Sequence, residues 1–245
     1  MAIAGRRAHC IFEYIYFARA DAIMDGVLVY DVRRQIGQKL HEEAPANADS
    51  VCSLPDSGTA YAIGFAEQSK IPFVESLMKN RYMGRTFIMP TQKEREKAVR
   101  IKLNPIPAHL KDRSVVLVDD SIVRGTTSKR IIEMVREAGA REIHVRVGSP
   151  AIKAPCYLGV DFPTREELIA HNRTEEEVRK SITATSLHHI SLEALVEAIG
   201  FDRDDLCTGY LTSCYPLPIE GEKARPCRID FVDSTIQAKL GSFEA

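Results

Sequence analysis

The sequence predicts an α/β domain with a central, mostly parallel sheet flanked by helices. Three observations carry that prediction. Val115-Val116-Leu117-Val118 is a short, unbroken apolar run, the pattern of a strand buried on both faces. Ile131, Ile132, Met134, Val135 and Ala138 then recur at helical spacing, with Gly139 where a helix C-cap belongs. Glu142 to Val147 alternates polar and apolar residues, which completes a strand–helix–strand unit of the parallel, right-handed kind.

Between the first strand and the helix lies the most informative stretch, Asp119-Asp120-Ser121-Ile122-Val123-Arg124-Gly125-Thr126-Thr127. A helix N-terminus presents unpaired N–H groups and the positive end of its dipole, so the turn from Ser121 to Thr127 suits a phosphate. Gly125 lets the backbone approach closely, and the hydroxyls of Thr126, Thr127 and Ser128 add donors. Asp119 and Asp120 would repel a phosphate and must face something else. Ribose hydroxyls or a hard divalent cation such as Mg²⁺ fit them. A sugar with a phosphate at one end and diol or metal-bound groups at the other satisfies both halves.

The remaining elements follow in order. Residues 9–17, His-Cys-Ile-Phe-Glu-Tyr-Ile-Tyr-Phe, read as an aromatic-rich strand. Arg33 to Glu43 reads as a short amphipathic helix with Ile36 and Leu40 on one side, and Ala44 to Ala48 as a loop. Val51 to Leu54 is a strand ending in Pro55-Asp56-Ser57-Gly58, before a small-residue helix from Thr59 to Ser69. Here Gly58 again permits backbone approach to an anion. Ile71 to Leu77 is expected to be a third strand. Residues 79–97 are too charged for core and, with Gly84 and Pro90, too broken for one element, which points to a long polar lid loop. Ser149-Pro150 ends the later strand. Thr164-Arg165-Glu166-Glu167 and Thr174-Glu175-Glu176-Glu177 read as capping boxes, and Ser191 with Gly200 brackets a last short helix. These C-terminal helices are expected to cover the active face or the sheet edge. Residues 1–219 are taken as one domain, and 220–245 as a tail without a readable motif.

Composition narrows the function classes. A net charge of −1 over 245 residues argues against a general nucleic-acid partner, which needs a basic excess. No apolar run of membrane-spanning length and no signal-peptide pattern is present, so no membrane partner is expected and the cytoplasm is the expected compartment. The six cysteines form no CxxC pair and are not expected to build a disulfide framework there. His188-His189 has no third metal ligand in view and reads as a surface or capping pair. No Ser/His/Asp or Cys/His nucleophile pattern occurs.

Val-Val-Leu-Val-Asp-Asp-Ser-Ile-Val-Arg-Gly-Thr-Thr resembles the phosphoribosyl pyrophosphate (PRPP) motif of type I phosphoribosyltransferases. Its long form is similar to that of the amidophosphoribosyltransferase family, which catalyses the first committed step of purine synthesis. The resemblance covers about residues 8–219 and implies the type I phosphoribosyltransferase fold. It implies that Asp119, Asp120, Ser121, Val123, Arg124, Gly125, Thr126 and Thr127, with Ser57 and Gly58, bind PRPP. Ser57, Asp119 and Asp120 are then the Mg²⁺ positions. Lys79-Asn80-Arg81-Tyr82-Met83-Gly84-Arg85-Thr86-Phe87 resembles the family's flexible loop, implying that Lys79, Tyr82 and Arg85 close on the phosphates and the reaction centre.

Cys10 to Arg19 resembles the segment that opens the family's transferase domain, which a glutaminase domain precedes. That glutaminase uses an N-terminal cysteine, whereas this chain starts Met1-Ala2, so glutaminase activity is not expected of this chain alone. The implied reaction converts PRPP and ammonia to phosphoribosylamine and pyrophosphate, in a homo-oligomer by family likeness. Free ammonia and a separate glutaminase subunit both stay open as the nitrogen source. So do two other readings: a salvage enzyme with a nucleobase acceptor, and a PRPP-binding regulator or inactive fragment. In members of the family that carry an iron–sulfur cluster, four cysteines hold it. The first three places are filled here by Cys10, Cys156 and Cys207, but the fourth holds Tyr210. A cubic cluster wants four thiolates; Cys214, four residues beyond Tyr210, substitutes if the loop re-routes, and otherwise the cluster is incomplete, labile or lost.

Overall fold

The computed structural model describes residues 7–80, 103–160 and 164–219. It opens with a two-residue strand, His9–Cys10 (β1), and then a π-helical turn over Glu13–Phe17, where the aromatic pattern predicts a strand. The physical reason is that among the described residues β1 has one short partner, so the carbonyls beyond it must be satisfied another way. The buried Arg33 guanidinium donates to the carbonyls of Tyr14 at 2.9 Å and Ala18 at 2.8 Å. Tyr61 Oη donates to that of Ile15 at 2.7 Å. Ile11, Phe12, Tyr14 and Ile15 are thereby all buried.

A hairpin follows, Ile23–Met24 (β2) with Val27–Leu28 (β3), closed by Asp25 and Gly26 at φ of 48° and 85°. It passes directly into α1, Val29–Glu43, which starts a turn earlier than its sequence pattern predicts. The early start is covered because Val29 and Tyr30 donate their N–H groups back to Ala22 and Ala20. Next come β4, Ser50–Ser53, and α2, Thr59–Ser69. The two helices cross through reciprocal glycines. A Cβ on Gly37 would sit 1.9 Å from the Tyr61 carbonyl oxygen, and one on Gly64 1.9 Å from that of Arg34.

The expected strand from Ile71 to Leu77 is reduced to a single bridge, Phe73 beside Val51. Pro72 has no N–H to extend a ladder and contributes only its carbonyl, to Val51 N–H at 2.9 Å. The chain leaves as β5, Leu77–Lys79, antiparallel to β6, Leu103–Pro105, which leads into the short α3, Pro107–Leu110. The centre of the domain is β7, Ser114–Asp119, followed by α4, Thr126–Glu137, and β8, Glu142–Val147. Then come α5, Glu175–Ile182, β9, Ser186–His189, and α6, Leu192–Ile199. Last are β10, Leu206–Cys207, parallel to β1, and α7, Gly209–Thr212.

The main sheet has the order β4-β7-β8-β9 and is parallel throughout. Period-two alternation along β7 sends its side chains to two cores. Val116 and Val118 join Ile36, Leu40, Tyr61, Phe65, Leu195 and Ile199 from α1, α2 and α6. Val115 and Leu117 join Ile131, Ile132, Val135, Val178 and Ile182 from α4 and α5. Every residue of β7 is buried as a result, as a two-sided parallel sheet requires. Among the described residues no helix is long and apolar enough to cross a membrane.

Thr174 forms the predicted capping box with Glu177, and Ser191 caps α6, which Gly200 ends in a left-handed conformation. Thr164 caps nothing. Arg165–Glu167 is a single 3₁₀ turn, because the following residues are drawn away when Ile169 N–H bonds the Val123 carbonyl at 2.9 Å.

The histidine pair is structural. Glu175 accepts from His189 N–H at 2.9 Å and His189 Nδ1 at 3.0 Å, and lies 3.5 Å from His188 Nδ1. Glu43, at the end of α1, bonds His188 Nε2 and accepts from the Ser191 N–H, both at 3.0 Å. Burial alone would raise Glu175, but the bonds from His188 and His189 outweigh it and hold the carboxyl well below its usual range. The bond to Glu175 raises His188 in turn. Glu175's contribution is present above 4.5 and lost as pH falls through its depressed value. That of His188 is present below 6.5 and lost as pH rises through its raised value. This junction therefore grips hardest between pH 4.5 and 6.5, and Glu175→Gln is expected to lower the melting temperature within that window and to weaken its decline as pH rises past 6.5. Differential scanning fluorimetry from pH 4 to 8 checks it; a variant profile parallel to wild type removes the junction's role.

Candidate functional site

The carboxyl ends of β4 and β7 form one edge of the sheet, the place where open α/β sheets receive ligands. At the end of β7, Asp119 and Asp120 are 8% and 5% exposed. Asp119 Oδ1 accepts the Asp120 N–H at 2.9 Å, and Ser121 Oγ donates to Asp120 Oδ2 at 2.7 Å. Burial, and then the neighbouring Asp120 carboxylate, hold the Asp119 carboxyl well above the usual range. Behind the pair stands the fully buried Tyr61, whose phenol burial pushes up and the charge of Asp120 pushes further. A Cβ on Gly148 would strike the Tyr61 ring at 2.4 Å, so the bare backbone of that residue makes room for it.

The turn from Ser121 to Gly125 is shaped by one residue. Gly125 stands at the N-cap of α4 with φ +75°, and a Cβ there would lie 2.1 Å from Ile169 Cδ1. The left-handed conformation is what favours glycine here, since the Ile169 methyl is the far end of a side chain that can turn aside. Among the described residues no side chain caps this helix, so the N–H groups of its first turn could take a ligand, beside the exposed Thr126 and Thr127. Val123 is tied down through its carbonyl, which accepts from Ile169 N–H. The Arg124 guanidinium pairs with Glu167 at 2.8 Å.

The turn Pro55 to Gly58, which contains a cis peptide between Pro55 and Asp56, packs on the same strand end. Leu54 N–H bonds the Val118 carbonyl at 2.8 Å, and a Cβ on Gly58 would come within 2.5 Å of that oxygen. Gly58 thus lets the second turn lie directly against the first, with Ser57 half-buried at its tip. Lys79 joins them from β5: its Nζ is 2.6 Å from Asp56 Oδ2. Three stretches distant in sequence meet at one edge.

Asp56, Tyr61 and Arg33 are residues of this region that the sequence alone does not single out. Asp56 lies inside the Pro55–Gly58 turn, and its lysine partner is 23 residues away. Tyr61 and Arg33 carry only the general signal of a polar group in an apolar helix face. Tyr82 and Arg85 lie outside the described residues. Two hard carboxylates, an uncapped helix start and a backbone-lined turn could together hold a phosphosugar with a divalent cation.

No protein-family model matches the chain. Similar in sequence are the amidophosphoribosyltransferase of Methanocaldococcus jannaschii, 56% identical over 216 residues, and that of Bacillus subtilis, 47% identical over 209. Those stretches take in 88% and 85% of this chain but 45% and 44% of the relatives. A solved structure of the B. subtilis glutamine PRPP amidotransferase, complexed with ADP and GMP, is similar at a TM-score of 0.83 and 44% identity. It matches over 91% of this chain and 50% of its own length. The chain thus spans about half the length of the relatives it matches.

Proposed function

We propose, from the premise that this chain belongs to the amidophosphoribosyltransferase family and has the type I phosphoribosyltransferase fold, that it transfers a phosphoribosyl group from PRPP to ammonia. The observation that carries the reading is the meeting of the buried Asp119–Asp120 pair, the Gly125-capped start of α4 and the Pro55–Gly58 turn.

The first-turn N–H groups of α4 and the hydroxyls of Thr126 and Thr127 hold the sugar's 5-phosphate. Asp119 and Asp120 accept from the ribose hydroxyls. The Ser57–Gly58 backbone faces the pyrophosphate, and Lys79, held beside it by Asp56, supplies a positive charge to the leaving group. Asp119, Asp120 and Ser57 fit Mg²⁺, since all offer hard oxygen donors and the two carboxylates accept from an N–H and a hydroxyl. When bound, that cation neutralises charge on the pyrophosphate. As the bond from C1 to the pyrophosphate oxygen breaks, positive charge grows on the ribose. The ammonia lone pair then forms the C1–N bond, and a proton leaves the nitrogen. Phosphoribosylamine and pyrophosphate result, the first step of purine synthesis.

Pyrophosphate release from PRPP and Mg²⁺ with ammonia, glutamine or purine bases tests this. Ammonia-dependent release, absent with glutamine alone, is the expected result. Release driven by a nucleobase would replace the reading with a salvage enzyme, and binding without release under any acceptor would replace it with a sensor.

A further inference from the structure

Family resemblance assigns a cluster to four positions of this chain, and the residues present do not fit it. Cys10 and Cys207 face each other in the parallel register of β1 and β10. Cys156 reaches the same region from the turn after β8. That turn is fastened to α7, because Lys153 and Ala154 both donate their N–H groups to the Tyr210 carbonyl at 3.0 Å. Tyr215 Oη adds a bond to the Pro155 carbonyl at 2.6 Å. Into the middle of this three-segment junction comes the Tyr210 side chain, 1% exposed and in electrostatic reach of all three thiols. Its ring lies edge-on to Phe12 at 5.5 Å, and Phe12 in turn meets Phe17 at 5.2 Å.

We propose that the Tyr210 ring replaces an iron–sulfur cluster as the body that holds β1, β10 and the Cys156 turn together. Two arguments support it. A cubic cluster needs a fourth soft sulfur donor, and a phenol oxygen is a hard one. The ring also fills the space with dispersion contacts of its own, joined to the apolar core of Ile11, Phe12, Leu206 and Leu211. Cys10, Cys156 and Cys207 are free thiols.

The test is read by metal content and melting temperature, so it stands or falls apart from the transfer reaction. Full-length chain is purified anaerobically, incubated with iron and sulfide under reducing conditions, desalted and assayed for both elements and for visible absorbance. The wild type is expected to retain neither at stoichiometric level and to melt at the same temperature with and without chelator. Tyr210→Cys, treated identically, is expected to take up iron and sulfide. Stoichiometric cluster in the wild type overturns the proposal, as does a folded Tyr210→Cys that takes up none. Should Tyr210→Cys fail to fold, Cys10→Ser and Cys156→Ser in the wild-type background decide it. Melting temperatures within a few degrees of wild type support an aromatic junction, and a collapse accompanied by loss of bound metal overturns it.

Discussion

Replacing Asp119 or Asp120 by Asn is expected to cut pyrophosphate release by about 10²–10³-fold while leaving the fold more stable, not less. The loss follows because an amide neither draws a cation nor accepts from two hydroxyls as a carboxylate does. The gain follows from the burial of the pair. Asp119 is held above its usual range by burial first and by Asp120 second. A raised carboxyl binds more protons folded than unfolded, so its ionisation destabilises the domain as pH rises from 3.8 through the folded value. Asn keeps the oxygen that accepts the Asp120 N–H and carries no charge. At neutral pH a rise of about 2–4 °C in melting temperature is expected for each kcal/mol of relieved repulsion. Calorimetric titration with Mg²⁺ and PRPP, beside a thermal melt, checks both halves. Retained turnover, or a melting temperature that drops, removes the acids from the site and leaves them as structural turn residues.

Gly64→Val and Gly37→Val are expected to destabilise the domain by more than about 3 kcal/mol each, beyond the usual range for overpacking. Overpacking is ordinarily relieved when a neighbouring side chain turns aside. Here the atoms 1.9 Å from an added Cβ are backbone carbonyl oxygens of Arg34 and Tyr61, and backbone cannot rotate away. The helices α1 and α2 must instead separate, which exposes Ile36, Leu40 and Phe65. Gly58 and the Pro55 turn lead into α2, so the displacement also withdraws that turn from the end of β7. Urea unfolding measures the first effect and PRPP affinity of any folded remainder the second. Wild-type denaturation midpoints would mean that the helices do not cross through these residues.

Much of the site is legible in the sequence because its signals are local. The apolar run of β7, the acidic pair, the glycine turn and the 3.6-residue period of α4 all lie within Ser114–Glu137. A short window also suffices for the Thr174 box and the Ser191–Gly200 bracket, since a cap is a bond between residues three or four apart. Readings fail where local preference meets a distant partner, as the Thr164 box does when Ile169 bonds Val123. The aromatics of residues 11–17 favour a strand by propensity, but Arg33 and Tyr61 take their carbonyls and curl the chain into a π-turn. Residues 71–77 have strand composition, yet Pro72 lets only one bridge form against β4.

By itself the sequence determined the architecture and the chemical character of the site: a two-sided parallel strand that ends in acids and opens a helix. Periodicity and turn chemistry act over a few residues, and those suffice for such features. Only the tertiary structure decided what stands beside them: Lys79 on Asp56, Gly58 against the Val118 carbonyl and Ile169 over Gly125. Each joins segments whose contact depends on how the helices pack against the sheet, and no pattern along the chain encodes a distance across it.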